Sequence, residues 1–425
     1  MHTLEVLVNS SKTILIKVFG LIAGLLISIF LARSLGPEGL GVVNFANKFG
    51  MILLILTMFG FQNVIIKFIA VAKGRRDNLA ISTALKTSLV FNGILSVVIA
   101  SIGAIVLPLI LDTWLGNQDL YIPLLIVFVM LIPQTISMVY GSALNGFGKI
   151  WQANLVNQTL SALLVGLGLI LYWSFNIFFT PISVLLLYAI SRTILVVVVK
   201  VLWNQSFKSK IKGQFNFKPM LKMAKPLMLV TGTGVIASNA DAIMLGMFGT
   251  FKDVGIYSVA ARLALLTSFF LQVTNAAISP KLASLFDESK ISEMILMVQR
   301  VTKGLTLVAL LFVIFFVTLG QWLLGFWGVE FQQAYWVLVI IVIGQFFNIA
   351  TGCSGMLLVM CGYEKTHGYI SLAALILNII LNVVLISNFG ALGAAIATAI
   401  TVMIENVSKV IFAKQKVGIL TLPLF

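Results

Sequence analysis

Eleven polar side chains stand inside stretches that are otherwise apolar, and their types and spacing set out the chemistry open to this chain. Lys48, Arg192 and Arg262 are cations, and Asp241 and Glu405 are acids. Asn44, Asn47, Asn154, Asn157, Asn378 and Asn382 are amides. A charge at mid-bilayer costs roughly 2.5–3.5 kcal/mol on insertion scales, so such groups face a cavity or a partner. Asn44, Asn47 and Lys48 follow i, i+3, i+4 spacing and share one helix face. Thr231, Gly234, Ser238 and Asp241 step by 3, 4 and 3, as do Thr398, Thr401, Glu405 and Ser408, giving two polar stripes on apolar helices. Asn154 and Asn157 share a face with Gln158 and Ser161, and Asn378 and Asn382 are one turn apart. Three cations against two acids leave a net positive charge among neutral hydrogen-bonding groups. Such a lining suits a hydrated cavity for an anionic, hydroxyl-rich solute. Each group also has a structural reading: Asp241 can neutralise Arg262, Glu405 and Arg192 can pair or snorkel, and the amides can join helices.

The elements that must carry these residues are membrane helices. Sixty per cent of the 425 residues are hydrophobic and 10% are charged, with a mean hydropathy of +1.10. Soluble domains carry roughly 25% charged residues. Runs of about 20 apolar residues suffice to cross a bilayer. Twelve such runs are found, from 14–33 to 390–412, and no soluble domain is left over. The first is too long for a signal-peptide core and lacks a convincing cleavage site, so it is expected to remain as a helix. The expected fold is an all-α integral membrane protein of about twelve transmembrane helices.

The two halves of the chain resemble each other. Gly41 matches Gly255, Ala46 matches Ala260 and Lys48 matches Arg262, all at an offset of 214. Gly146 and Lys149 match Gly362 and Lys365 at 216. A Lys-rich stretch, Asn204 to Lys225, lies at the midpoint. Internal duplication in an apolar chain is a transporter signature, because moving a solute needs two bundles that rock against each other. The expected domains are a six-helix lobe over 1–206, a cytoplasmic connection over 207–219 and a second six-helix lobe over 220–425. Duplication places Lys48 and Arg262 at matching depths, one in each half.

The formal net charge is +15. With a cytoplasmic N-terminus, 23 of the 28 Lys and Arg fall on cytoplasmic segments, two on outer ends and three within spans. This asymmetry predicts that both termini are cytoplasmic. It also makes membrane orientation the cause of the basic charge, with no nucleic-acid partner. The 203–225 connection is expected on the membrane surface, its lysines among headgroups and Phe207, Phe215 and Phe217 in the interface. Two cysteines and two histidines make no metal-ligand cluster, and no cofactor is expected. Gly232–Ala237 fits a dinucleotide-binding pattern but lies in an apolar helical run without a preceding strand, and is discounted.

Leu31-Ala32-Arg33-Ser34-Leu35-Gly36-Pro37-Glu38-Gly39-Leu40-Gly41 resembles the stretch between the first two helices of Wzx-type polysaccharide flippases. These belong to the multidrug/oligosaccharidyl-lipid/polysaccharide exporter superfamily. Asp241-Ala242-Ile243-Met244-Leu245-Gly246, followed by Val254-Gly255-Ile256-Tyr257-Ser258-Val259-Ala260-Ala261-Arg262, is similar to the seventh-to-eighth helix region of that family. The resemblance implies two six-helix lobes around a central cavity in the bacterial cytoplasmic membrane. Its cargo would be an oligosaccharide repeat unit on a polyprenyl diphosphate, with polysaccharide polymerase machinery as a further partner. Lys48, Arg192 and Arg262, with the six amides, are then candidates for phosphate and sugar contacts. Asp241 and Glu405 are the coupling candidates for H+ or Na+, since no Walker A pattern is present. A multidrug or cation antiporter would fit the same lobes but favours a net acidic cavity. A membrane polysaccharide polymerase or acyltransferase needs catalytic groups at a surface, and the expected outer loops are short and nearly bare.

Overall fold

The computed structural model describes residues 2–115, 118–175, 177–209 and 211–422, with side chains from Leu15 onward except at 114, 115, 158 and 230. Thirteen helices follow one another: α1 (His2–Met58), α2 (Phe61–Gly74), α3 (Asn78–Ile110), α4 (Tyr121–Gly146), α5 (Ile150–Asn154), α6 (Ser161–Ser174), α7 (Pro181–Ser206), α8 (Lys218–Phe248), α9 (Phe251–Asp287), α10 (Ile291–Leu324), α11 (Tyr335–Ala350), α12 (Ser354–Met360) and α13 (Glu364–Val417). No strand occurs among the described residues.

Length shows that two of these helices are composite. At about 1.5 Å per residue, the 57 residues of α1 and the 54 of α13 each far exceed a hydrocarbon core of about 30 Å. Each breaks at a glycine with positive φ, Gly36 at 66° and Gly390 at 53°. Glycine has no Cβ to oppose that conformation, and Pro37 then restarts the helix at a position needing no N–H donor. Nine helices among the described residues are long and apolar enough to span, and α5 with α6 makes a tenth, bent by 40°. Dividing α1 and α13 at their glycines brings the number to the twelve that hydropathy predicts.

The duplication recurs in the elements. α4 and α11 begin at Tyr121 and Tyr335, and α5 and α13 at Ile150 and Glu364, both pairs 214 residues apart. Gly148 (φ 86°) and Gly362 (φ 82°) end equivalent helices at that same offset. The expected pairing of Gly146 with Gly362 is therefore corrected to Gly148. Glycine content alone could not choose between them, whereas the left-handed backbone does.

The chain forms two compact units, one of residues 1–35 and 42–239, the other of 36–41 and 240–425. Phe61, Ile65 and Ile69 of α2 pack with Leu144 of α4 and Leu195 and Val199 of α7 in the core of the first. Leu282 and Leu285 of α9 pack with Val298 of α10 and Leu357 of α12 in the second. Within the second unit, a Cβ added to Gly41 would overlap the Phe251 carbonyl oxygen, and one added to Gly255 would overlap that of Pro37. Gly41 and Gly255 are repeat equivalents, and so are Pro37 and Phe251. The contact is thus reciprocal, backbone on backbone, and requires glycine on both sides.

Residues 207–209 and 211–217 are tied to the first unit. Thr83 Oγ1 accepts a hydrogen bond from the Gln214 N–H at 3.1 Å, and Thr87 Oγ1 accepts one from the Asn216 N–H at 3.0 Å. Phe217 stacks on Phe91, which stacks on Phe61. Phe207 packs against Phe147 and Trp203. Phe207 and Phe217 are half-buried in these contacts, and Phe215, though exposed, stacks on Phe217.

Candidate functional site

Within the second unit, Asp241 accepts three side-chain hydrogen bonds, all from helices other than its own. It lies seven residues before the end of α8, and Tyr257 lies six residues into α9, so the short α8–α9 turn brings them to similar depth. That turn is fixed by a capping box. Thr250 Oγ1 accepts from the Asp253 N–H, and Asp253 Oδ2 accepts from the Thr250 N–H. Asp253 Oδ1 also accepts from the Ala391 N–H at 3.3 Å, tying the turn to the bend of α13 at Gly390. Asn382 and Thr398 stand eight residues to either side of Gly390. The bend therefore returns both to one depth, about 12 Å from it at 1.5 Å per residue.

Asp241 Oδ2 accepts hydrogen bonds from the Tyr257 hydroxyl at 2.6 Å and the Thr398 hydroxyl at 2.8 Å. Asp241 Oδ1 accepts from Asn382 Nδ2 at 2.7 Å, and that amide also donates to Asn378 Oδ1 at 3.0 Å. All of these donors are neutral. Tyr257 is 6% exposed and Asn382 fully buried, so the carboxylate is held by groups with little rotamer freedom. Asn382 Oδ1 is buried and receives no hydrogen bond. A carboxylate, two amide oxygens and two hydroxyl oxygens thus gather at one place within membrane-spanning helices. Oxygen sets of this kind bind hard cations, and a lone carboxylate among them can exchange a proton.

Glu405, on the same stripe of α13 as Thr398, has different company. It accepts from the Ser371 hydroxyl at 2.8 Å and is ion-paired to Lys409 at 2.8 Å, one turn further on. Thr401, between the two, bonds its own helix at the Ala397 carbonyl. Thr231 and Ser238 do the same on α8. The two sequence stripes therefore converge only at Asp241 and Thr398.

In the first unit, Asn44, Asn47 and Lys48 form a half-buried face of α1, with Asn47 Nδ2 bonded back to the Val43 carbonyl. Asn154 likewise bonds its own helix at Ile150. Asn157 is exposed, its amide lying against Gly141 of α4 where a Cβ would collide. Arg192 is half-buried on α7, and its Nε is buried without a hydrogen-bond partner. Arg262 is exposed eleven residues into α9. Of the eleven residues singled out from sequence, Asp241, Asn378 and Asn382 come together in direct hydrogen bonds. Tyr257 and Thr398 complete that group and were not among the eleven. Thr398 carries a signal, its place on the α13 stripe, whereas nothing in the spacing marks Tyr257.

Residues 6–286 match the family model described as "Polysaccharide biosynthesis protein". The chain is 26% identical over 411 residues to a "Probable low-salt glycan biosynthesis flippase Agl15" of Haloferax volcanii, covering 94% of this chain and 81% of that one. It is 24% identical over 318 residues to a "Capsular polysaccharide biosynthesis protein CapF" of Staphylococcus aureus, covering 71% and 76%. Among solved structures, an inward-facing multidrug resistance MATE family transporter of the MOP superfamily aligns with a TM-score of 0.75 at 16% identity, over 95% of this chain and 94% of that one. The lipid II flippase MurJ in an inward closed conformation also aligns at 0.75, with 15% identity over 96% and 87%. These two likenesses establish the fold: an all-α, multi-pass membrane architecture.

Proposed function

Since this chain belongs to the polysaccharide biosynthesis protein family, we propose that it is a flippase, not an enzyme, and that it moves a polyprenyl-diphosphate-linked oligosaccharide repeat unit from the inner to the outer leaflet of a bacterial cytoplasmic membrane. Two relatives with glycan-biosynthesis names, matched over most of the chain, support the substrate class. Transport proceeds by alternating access between the two halves, both termini lying in the cytoplasm. The lobes are 1–206 and 220–425, joined by 207–219.

The observation that carries the energetics is the set of neutral donors around Asp241. Asp241 holds the coupling ion, H+ or Na+, with Asn378, Asn382 and Thr398 supplying further oxygens. Asn378 and Asn382 then belong to coupling rather than to sugar contact. Glu405, already paired with Lys409, has a structural part. Lys48, Arg192 and Arg262 receive the diphosphate, because Lys and Arg hold phosphate by charge-assisted hydrogen bonds. Asn44, Asn47, Asn154 and Asn157 exchange hydrogen bonds with sugar hydroxyls. The lipid tail remains in the bilayer, so only the polar head needs passage.

Deletion followed by analysis of lipid-linked glycans tests the substrate class. One polyprenyl-diphosphate glycan should build up on the inner leaflet and return to normal on complementation. No change in any lipid-linked glycan, with export intact, would overturn the reading. For the phosphate contacts, Lys48→Ala should slow export about tenfold, the equivalent of one charge-assisted hydrogen bond of roughly 1.5–3 kcal/mol. Lys48→Arg should be better tolerated than Lys48→Glu.

A further inference from the structure

Equivalent stretches of the two halves differ at one place. α9 runs unbroken from Phe251 to Asp287. At the offset of 214 its counterpart is 37–73, and that stretch breaks at Phe59 and Gly60, between α1 and α2. Both residues have positive φ, 44° and 75°. Glycine adopts that conformation freely, whereas phenylalanine is strained in it. The counterparts Val273 and Thr274 lie inside α9. A break of this kind frees carbonyls at the end of one helix and N–H groups at the start of the next, and Gly60 gives α2 no side-chain cap. On one side the break is closed by α8, since a Cβ on Gly60 would overlap the Ala224 carbonyl oxygen. On another it meets α3. Phe91 stacks on Phe61 with ring centroids 4.7 Å apart and meets Phe59 edge-on at 6.3 Å. The next residue, Asn92, is fully buried, and among the described residues neither its Nδ2 nor its Oδ1 meets a hydrogen-bond partner. Ser88 and Ser96, one turn to either side, donate to carbonyls of their own helix.

We propose that Asn92 and the Phe59–Gly60 break bind ordered water, and that this wet break is a hinge in the first half which the second half lacks at the matching position. The chemistry of the site selects the ligand. A buried amide is costly unless both its donor and its acceptor are satisfied. A cation would satisfy Oδ1 alone, and an anion Nδ2 alone. Water donates and accepts, so it serves both ends of Asn92 and both kinds of backbone group freed at the break. Water that exchanges bonds with those groups lets the helix bend there without leaving them unpaired. α9 keeps its own hydrogen bonds through the same stretch and has no such point. This inference is independent of the transported substrate.

The test uses the full chain in nanodiscs. Brief X-ray radiolysis turns bound water into hydroxyl radicals, which label adjacent side chains even where these are buried from bulk solvent. Phe61, 0% exposed, should be labelled several-fold faster than Phe316 of α10, which is 2% exposed. Hydrogen exchange reads the hinge: the amides of 61–63 should exchange about tenfold faster than their counterparts 275–277, the equivalent of about one hydrogen bond. Asn92→Leu should bring the labelling of Phe61 down to that of Phe316 and lower the melting temperature. A dry, unpaired amide would respond oppositely, because replacing it by an apolar group of similar shape is neutral or stabilising. Should Asn92→Leu fail to fold, labelling and exchange on the unchanged chain still decide. Equal labelling of Phe61 and Phe316, equal exchange in the two segments, or a melting temperature that Asn92→Leu leaves unchanged or raises overturns the proposal.

Discussion

Asp241 and Glu405 belong to the same half of the molecule, both sit on membrane-spanning helices, and both lie on polar stripes with the same 3-4-3 spacing. Their surroundings differ in kind. Asp241 is held by a phenol, an amide and a hydroxyl from two other helical segments. Glu405 is held by a lysine of its own helix and one serine. An ion pair satisfies a carboxylate's charge, leaving little reason for a further cation to bind. Neutral donors position a carboxylate without cancelling its charge. A periodic stripe thus says that an acid faces inward, and the partners decide whether it is a working group or a fastening.

The most direct way to break this contrast is Asp241→Asn. Ion-dependent transport should fall by tenfold or more with normal membrane insertion, measured as glycan export at native expression. Full export in that variant would remove Asp241 from coupling. A second, somewhat smaller effect is expected for Tyr257→Phe and Thr398→Val, each removing one hydrogen bond to a carboxylate, of roughly 1.5–3 kcal/mol. The concentration of coupling ion needed for half-maximal transport should fall if the ion is H+, since the lost donors had stabilised the charged carboxylate, and rise if it is Na+, since an oxygen is lost, with the maximal rate less affected. Arg262 sharpens the contrast from the other side. Because Asp241 has neutral partners, Arg262→Ala combined with Asp241→Ala should not restore export, and recovery in the double variant would make Arg262 merely the acid's counter-charge. Glu405→Gln should lower export by less than about threefold, and mainly through protein abundance, as expected of a membrane ion pair that fastens two turns.

The smallest effect belongs to a third acid, Glu288, outside the spanning segments. Hydrogen bonds from Lys290 and Ser284 hold its carboxyl below the ordinary value of 4.5. A depressed value contributes stability above the unfolded pKa and loses it as pH falls through the folded one. The pair is solvent-exposed and screened, so Glu288→Gln should leave the melting temperature between pH 4 and 7 unchanged within error.

Much of the architecture was legible from hydropathy. Long apolar runs leave backbone groups no partner but their own helix, so membrane spans follow from composition with little need of context. Gly36 lies just past the first apolar run and Gly390 opens the last, so both breaks fall at run boundaries. The candidate site was legible only in part. Asp241 stands out as a deep acid, and the one-turn spacing of Asn378 and Asn382 reads as a polar face. No local pattern shows that this face reaches Asp241, because a helix period fixes which residues share a side and not which helix that side meets. The same limit applies to the connecting segment, where Phe207 and Phe217 are half-buried and Phe215 is exposed.

Amino-acid order by itself determined that this chain is a bundle of about twelve membrane helices, duplicated about its midpoint, with a few charged residues retained where they are costly. Those properties rest on transfer free energy and helix geometry, which act residue by residue. Only the tertiary structure decided that Asp241 draws neutral donors from α9 and both arms of α13, that Glu405 is paired with Lys409, and that Gly41 and Gly255 are needed for a reciprocal backbone contact. Such outcomes depend on distances between segments up to about 200 residues apart, which side-chain type and spacing leave open.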